Sequence, residues 1–303
     1  MDVSWAEEPD TRRRRRGPRN LRDDFEGPHP DAAACLPGVG SPPDPDDDRT
    51  ETTWLQADHG PEPRPDWVIT ELAALDTDLG VLKTGKEADV HLLERAVPGG
   101  RGSLLAAKRY RSSEHRMFHR DAGYLEGRRV RRSRETRAMA NRTTFGMDLL
   151  AGQWAAAEFG ALGRLWNSGV AVPYPVQLLG TEVLKEFVGD PDGTAAPRLA
   201  QLRPEPEELA DLWQQTVAAL QLLAGHGWAH GDLSPYNVLI HHGRLVLIDL
   251  PQVVDVVGNP RGPEYLARDV RVMADWFIGH GQPAGVVDAA GLTGELLADA
   301  GLR

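Results

Sequence analysis

Apolar residues follow two different rhythms along this chain, and the change from one to the other predicts its architecture. Short apolar runs predict strand, turn, strand over Leu79 to Arg95, with the turn at Thr84-Gly85-Lys86-Glu87-Ala88, and a third strand over Ser103 to Tyr110. Val68 to Leu75 ahead of them reads as a short lead-in helix or strand. Helical spacing then appears at Leu150, Trp154, Ala157, Ala161 and Leu165, predicting a helix over Met147 to Trp166. Val176 to Leu179 and Thr181 to Phe187 return to strand patterning. Leu209, Leu212, Trp213, Val217, Leu220 and Leu223 predict a long buried helix that stops at Gly225 and Gly227. Two apolar runs, Val238 to Ile240 and Leu245 to Ile248, flank His241-His242-Gly243 as a hairpin, and Glu264 to Phe277 and Val286 to Ala300 predict two closing helices. The result is an α+β chain, β-rich over 67–189 and mainly helical over 190–303, long enough for one sizeable core or for two lobes around a cleft. Residues 1–66 show no sustained apolar period and hold 11 of the 23 prolines, so they are expected to form a disordered tail.

Chemistry collects at the edges of the predicted hairpin. His230, Asp232 and Asn237 precede its first strand, with Ser234-Pro235 as a turn signal, and Asp249 ends the second, seventeen residues after Asp232. Two carboxylates and an amide brought over one place suit phosphoryl transfer from ATP. One carboxylate orients the attacking hydroxyl and accepts its proton, and hard oxygens hold a divalent cation against the phosphates. Asp232 suits the base, and Asn237 and Asp249 suit Mg²⁺ or Mn²⁺. Either residue type alone is common at a β-turn; four polar residues in this order and spacing are not.

The run HGDLSPYN followed by ID resembles the catalytic and metal loops of the protein-kinase-like superfamily, with Gly231 in place of the usual Arg and Leu250-Pro251-Gln252 in place of Phe-Gly. That resemblance gives the other predicted elements meaning. Backbone N–H groups of the Thr84–Ala88 turn can cover phosphates, with Lys86 adding charge, although one glycine between strands is more often a plain hairpin. Lys108 near the end of the third strand can reach the α- and β-phosphates if a carboxylate holds it, and Glu158 on the following helix is the expected partner. Backbone groups of Glu186 and Val188 would form the hinge that meets adenine. His230 braces the catalytic loop, since Asp232 is better placed to take a proton.

Charge and composition change this picture in three places. The formal net charge of -11 argues against a surface that binds nucleic acid throughout. Yet 109–142 carries eleven arginines against Glu114, Asp121, Glu126 and Glu135, a local excess that suits RNA phosphates, an acidic protein segment or the nucleotide itself. The single cysteine, Cys35, excludes an intramolecular disulfide and suits a reducing cytoplasm. No segment approaches the roughly 20 apolar residues of a membrane span.

Taken together, residues 79–280 resemble the RIO family of atypical protein kinases, most closely its first subgroup. The resemblance rests on KTGKEADVH, AAKRYR, RDAGYLEGRR, WAAAEF, LKEFVGD, AAPRL, HGDLSPYN, IDLPQ and EYLARDV. It implies a two-lobed kinase-like fold without the conventional activation loop, with an insertion over 109–146, ATP and Mg²⁺ or Mn²⁺ in the cleft, Lys108 on phosphate, Asp232 as acid/base, and Asn237 and Asp249 on the metal. It also implies that Asp249 can take up phosphate itself, so an ATPase switch acting in ribosome assembly, with ribosomal RNA against the basic connection, stands beside phosphorylation of protein hydroxyls. Ser112, Ser113, Ser133, Thr143 and Thr144 are candidate sites of autophosphorylation. Small-molecule kinases of the aminoglycoside or choline type share HGDLxxxN and ID, but RDAGYLEGRR and GKEADV belong to the RIO pattern. Two departures stand out: Pro251 where many members have Ser, and Lys185 just before the hinge, where an apolar residue such as Met is usual.

Overall fold

A computed structural model describes residues 49–111, 144–250 and 253–302. The basic connection beyond Arg111, with Ser112, Ser113, Ser133 and Thr143, lies outside them, as do Pro251 and Gln252. The seven strands of the first lobe are β1 (Arg49–Glu51), β2 (Asp58–His59), β3 (Leu75–Thr84), β4 (Ala88–Ala96), β5 (Gly102–Tyr110), β6 (Pro175–Leu179) and β7 (Glu182–Glu186), with α1 (Thr144–Asn167) entering between β5 and β6. They make one antiparallel sheet in the order β1-β3-β4-β5-β7-β6-β2.

That order corrects the reading of 1–66 as a disordered tail: residues 49–59 supply both edge strands. β1 lies along β3 and β2 along β6, so one short segment reaches both edges and the sheet must curl toward closure. A buried polar network shows the curl from inside. Arg95 on β4 grips the Asp76 carboxylate on β3 through two hydrogen bonds of 2.7 Å and donates to Gln177 Oε1 on β6 at 2.9 Å. Gln177 Nε2 in turn donates to Thr53 Oγ1 at 2.7 Å. A fully buried guanidinium is tolerated because a bidentate carboxylate and an amide oxygen replace its water. Trp54 packs into the core beneath, stacked on His59 with ring centroids 3.8 Å apart. Between this segment and β3, Val68, Ile69 and Ala74 are buried without forming the expected lead-in helix or strand.

The second lobe is built on α2 (Pro206–Gly225), α3 (Gly262–Gly279) and α4 (Ala289–Asp299), which pack around the hairpin of β9 (Val238–His241) and β10 (Arg244–Leu247) and the small pair of β8 (Trp228–Ala229) with β11 (Val254–Asp255). The helix α1 belongs to both lobes. Ala151 and Ala155 pack with Ala88, Tyr110 and Val183 of the sheet, whereas Ala161, Leu162 and Leu165 join the core of the helical lobe. Its buried positions are Ala151, Ala155, Glu158, Ala161, Leu162 and Leu165, so the predicted stripe holds at Ala161 and Leu165 and lies one position off before them. Leu150, Trp154 and Ala157 sit at the stripe's margin, half-buried. The shift matters because it puts Glu158 inside.

If the segment before residue 67 is part of the fold, Trp54→Ala will cost about 3–5 kcal/mol of unfolding free energy in urea. Leu55→Ala, at a side chain 75% exposed, will change it by less than about 0.5 kcal/mol. Equal, small effects would return the segment to a tail.

Candidate active site

Lys108 sits next to the outer end of β5, paired across to Val90 on β4 and Val183 on β7, so the central strands of the curled sheet fix its direction. Its ammonium contacts Glu158 Oε2 at 2.6 Å and Asp249 Oδ1 at 2.8 Å. Glu158 is fully buried, and its other oxygen takes Lys185 at 2.7 Å, while the Tyr110 hydroxyl donates to the oxygen shared with Lys108. Burial alone would raise the Glu158 pKa, but the two ammonium groups outweigh it and hold the carboxyl well below the usual range. Burial likewise disfavours the charged form of Lys108, yet Glu158 and Asp249 reverse that effect and raise its pKa well above the ordinary lysine value. Lys185, which stood out in the sequence only as a departure just before the hinge, is the second cation on the buried carboxylate.

The hairpin places the remaining groups. Asp249 follows β10 in the left-handed region, φ 65°, a conformation uncommon for a residue with a side chain and one that commonly marks a functional position. Its partial burial works to raise its pKa, but Lys108 prevails and keeps it lowered, so it is ionised at neutral pH. Asn237, in the single turn before β9, donates from Nδ2 to the Asp232 carbonyl at 2.9 Å. That bond fixes the amide and leaves Oδ1 as its acceptor atom. Buried His230 meets the Ile248 carbonyl through Nε2 at 3.1 Å; a carbonyl only accepts, so Nε2 carries the proton and Nδ1 faces Asp232 N–H at 3.4 Å. The imidazole therefore ties the loop bearing Asp232 to the strand bearing Asp249, as a brace would.

Two contributors went unread in the sequence. Asp269 on α3 is fully buried and accepts from the N–H groups of Gly231 and Leu233 at 2.7 and 2.9 Å, clamping both sides of Asp232. Burial raises its pKa against those hydrogen bonds and against His230. Its neighbour Arg268 donates to Asp232 Oδ1 at 3.0 Å and to the Gly231 carbonyl at 3.2 Å. The available signal was periodicity, since Leu266, Val270, Met273 and Phe277 mark the buried face of α3 and Asp269 falls on it. Gly231, at φ 83°, occupies a backbone region that a residue with a side chain enters only with strain.

A cleft of about 740 Å³ opens between the lobes and collects most of the expected residues: Gly85, Lys86, Glu87 and Ala88 from the β3–β4 turn, with Lys108, Glu186, Val188, Asp232, Asn237 and Asp249. Val90 and Ala106 face it from the sheet, and Leu239 and Ile248 from the hairpin, which makes an apolar slot suited to a flat ring. At Gly85 a Cβ would fall 2.8 Å from the Ala88 carbonyl oxygen, so the tight turn needs glycine. Two expected residues do not line the cleft. Thr84 is hydrogen-bonded to Asp89, and Glu158 lies behind the two lysines.

The family model for the RIO domain matches residues 100–290. The chain belongs to the RIO family. It is 35% identical over 211 residues to the RIO-type serine/threonine-protein kinase Rio1 of Haloferax volcanii, an alignment covering 69% of this chain and 66% of that protein. It is also 35% identical over 139 residues to the serine/threonine-protein kinase RIO3 of Bos taurus, covering 46% of this chain and 26% of that protein. The chain therefore spans about two thirds of the first relative and a quarter of the second. Among solved structures it is similar to a Rio2 kinase–ADP/Mg²⁺–phosphoaspartate complex from Chaetomium thermophilum, at a TM-score of 0.49 and 22% identity, covering 74% of this chain and 69% of that one. Lys108, Glu158, Asp232, Asn237 and Asp249 fall within the RIO match, whereas the 84–88 turn precedes it.

Removing the charge at Glu158 leaves two buried ammonium groups facing each other, so Glu158→Gln is expected to cost about 3–5 kcal/mol in urea unfolding. Lys185→Met, which unpairs one Glu158 oxygen but leaves the other on Lys108, should cost less than Glu158→Gln. Folding depresses the Glu158 pKa, so its contribution is present above the ordinary value of 4.5 and is lost as pH falls below it. Glu158→Gln should flatten that acid limb; an unchanged limb would place the acid sensitivity elsewhere.

Proposed function

We propose that this RIO-family chain transfers the γ-phosphate of ATP to a protein hydroxyl, itself included. The observation that carries this reading is the Lys108 ammonium held between Glu158 and Asp249 at the wall of a cleft that also receives Asp232 and Asn237. The Glu186 N–H is engaged by the Tyr174 carbonyl at 2.8 Å and the Val188 carbonyl by Ala196 N–H at 3.0 Å. Recognition of an adenine edge thus falls to the Glu186 carbonyl and the Val188 N–H. Lys108 meets the α- and β-phosphates, and the Gly85–Ala88 turn covers them from above.

The donor set fits a hard divalent cation: an ionised Asp249 carboxylate and an Asn237 amide whose nitrogen is already hydrogen-bonded. Mg²⁺ or Mn²⁺ held there by Asn237 and Asp249 would supply positive charge against the phosphates as negative charge develops on the leaving oxygen. Asp232, positioned by Arg268 and by the Asp269 clamp beneath its backbone, accepts the proton of the attacking hydroxyl as its oxygen bonds to phosphorus and the bond to the β-phosphate oxygen breaks. The half-exposed Asp249 carboxylate, held by Lys108, is the group that would carry phosphate in an ATPase cycle. An RNA or ribosomal partner for the basic connection rests on its charge; Arg109 and Arg111, its first two arginines, are paired with Glu182, Asp78 and Asp89 and do not add to such a surface. No helix among the described residues is long and apolar enough to cross a membrane, and the lone cysteine fits a cytoplasmic setting.

Purified protein incubated with γ-labelled ATP and Mn²⁺ should become labelled. Asp232→Ala and Asp249→Asn should each lower the rate about 10²–10⁴-fold. Label stable to hydroxylamine fits transfer to hydroxyls, labile label assigns the phosphate to a carboxylate, and rates indifferent to both substitutions would contradict the site.

A further inference from the structure

Outside the cleft, two histidines and an aspartate converge at the junction between the lobes. Asp190 follows β7 in the segment leading to the helical lobe, where its backbone is fixed by a turn: its N–H donates to the Thr194 carbonyl at 2.9 Å and its carbonyl accepts from Gly193 N–H at 3.0 Å. His241 ends β9, and His242 follows in the hairpin turn at φ 49°, so the two imidazoles stand side by side with centroids 4.0 Å apart. Both direct Nε2 at the same carboxylate oxygen. The distances to Asp190 Oδ1 are 3.3 Å from His241 and 3.8 Å from His242, and the three donor atoms lie within 4.8 Å of one another.

The second distance is too long for a hydrogen bond. It is close to what chelation asks for, because two ligands about 2.05 Å from a tetrahedral ion stand about 3.4 Å apart. Two imidazoles and one carboxylate favour a borderline transition ion over Mg²⁺, which separates this cluster chemically from the oxygen pair of Asn237 and Asp249. The side chains are accessible, with His242 and Asp190 77% and 51% exposed, so an ion can enter and keep water at its open position. We propose that Asp190, His241 and His242 form a surface site for a divalent transition ion of the Zn²⁺ type. Such an ion would pin the segment connecting the lobes to the hairpin that runs from Asn237 to Asp249. This assignment stands independently of phosphoryl transfer in the cleft.

The test is calorimetric titration of tag-free, full-length protein with Zn²⁺ in excess Mg²⁺, repeated with Co²⁺ so that its visible absorption reports the ligand set. The unaltered chain should show one binding event that disappears, or weakens by about tenfold or more, in His242→Ala and in Asp190→Ala. Asp249→Asn should retain it. Because both substituted side chains are exposed, circular dichroism and the thermal midpoint without metal should match the unaltered protein, and Zn²⁺ should raise that midpoint only where the site is intact. Titrations that are the same in the unaltered chain and both variants would overturn the proposal and leave an ion pair only. So would loss of the event in Asp249→Asn with retention in His242→Ala.

Discussion

A carboxylate with no access to water, shared by two lysines, is the constraint on which the cleft depends. Glu158 is tolerable at the centre of the protein only as an ion paired on both oxygens, so it dictates where the ends of Lys108 and Lys185 stand. Those lysines come from neighbouring antiparallel strands, β5 and β7, and the carboxylate comes from α1, a helix that packs on both lobes. Moving α1 by one residue would bury Ala157 or Phe159 there and strand two ammonium groups. The same ion pair that fixes the helix against the sheet aims Lys108 at Asp249 on the far wall, so fold and site share one electrostatic centre.

Below the cleft, positioning passes through the backbone. Asp269 holds the N–H groups on either side of Asp232, Arg268 holds the Asp232 carboxylate, and His230 joins the catalytic loop to the end of β10. Each contact is one hydrogen bond; together they leave Asp232 and Asn237 little freedom before any nucleotide binds, the preorganisation that phosphoryl transfer requires. The RIO match spans this whole arrangement, from Lys108 to Asp269.

The sequence made much of this legible, and its failures have physical reasons. Helices α2 and α3 and the β9–β10 hairpin follow from apolar spacing, and Asp232, Asn237 and Asp249 stand out because polar residues at strand edges are few and closely spaced. β1 and β2 were not legible: they are three and two residues long, exposed and polar, and they add to the two open edges of a curled sheet, with Thr53 between them bonded to the buried Gln177. Along α1 the alanines are small enough to sit on either side of the stripe, so spacing alone misplaced its first half by one residue. Asp269 was missed because an acid on an apolar helix face reads as a solvated neighbour until the two backbone N–H groups it serves are known.

The most direct test of the account is the division of labour it proposes within one cleft: Asn237 and Asp249 to hold the cation, Asp232 to take the proton. Mn²⁺ binding in the presence of ATP, followed by electron paramagnetic resonance, separates the two roles without measuring turnover. The account predicts that Asn237→Ala and Asp249→Asn weaken nucleotide-dependent Mn²⁺ binding by about tenfold or more, while Asp232→Ala leaves it within about twofold. Equal Mn²⁺ binding in all three variants and the unaltered chain would contradict it.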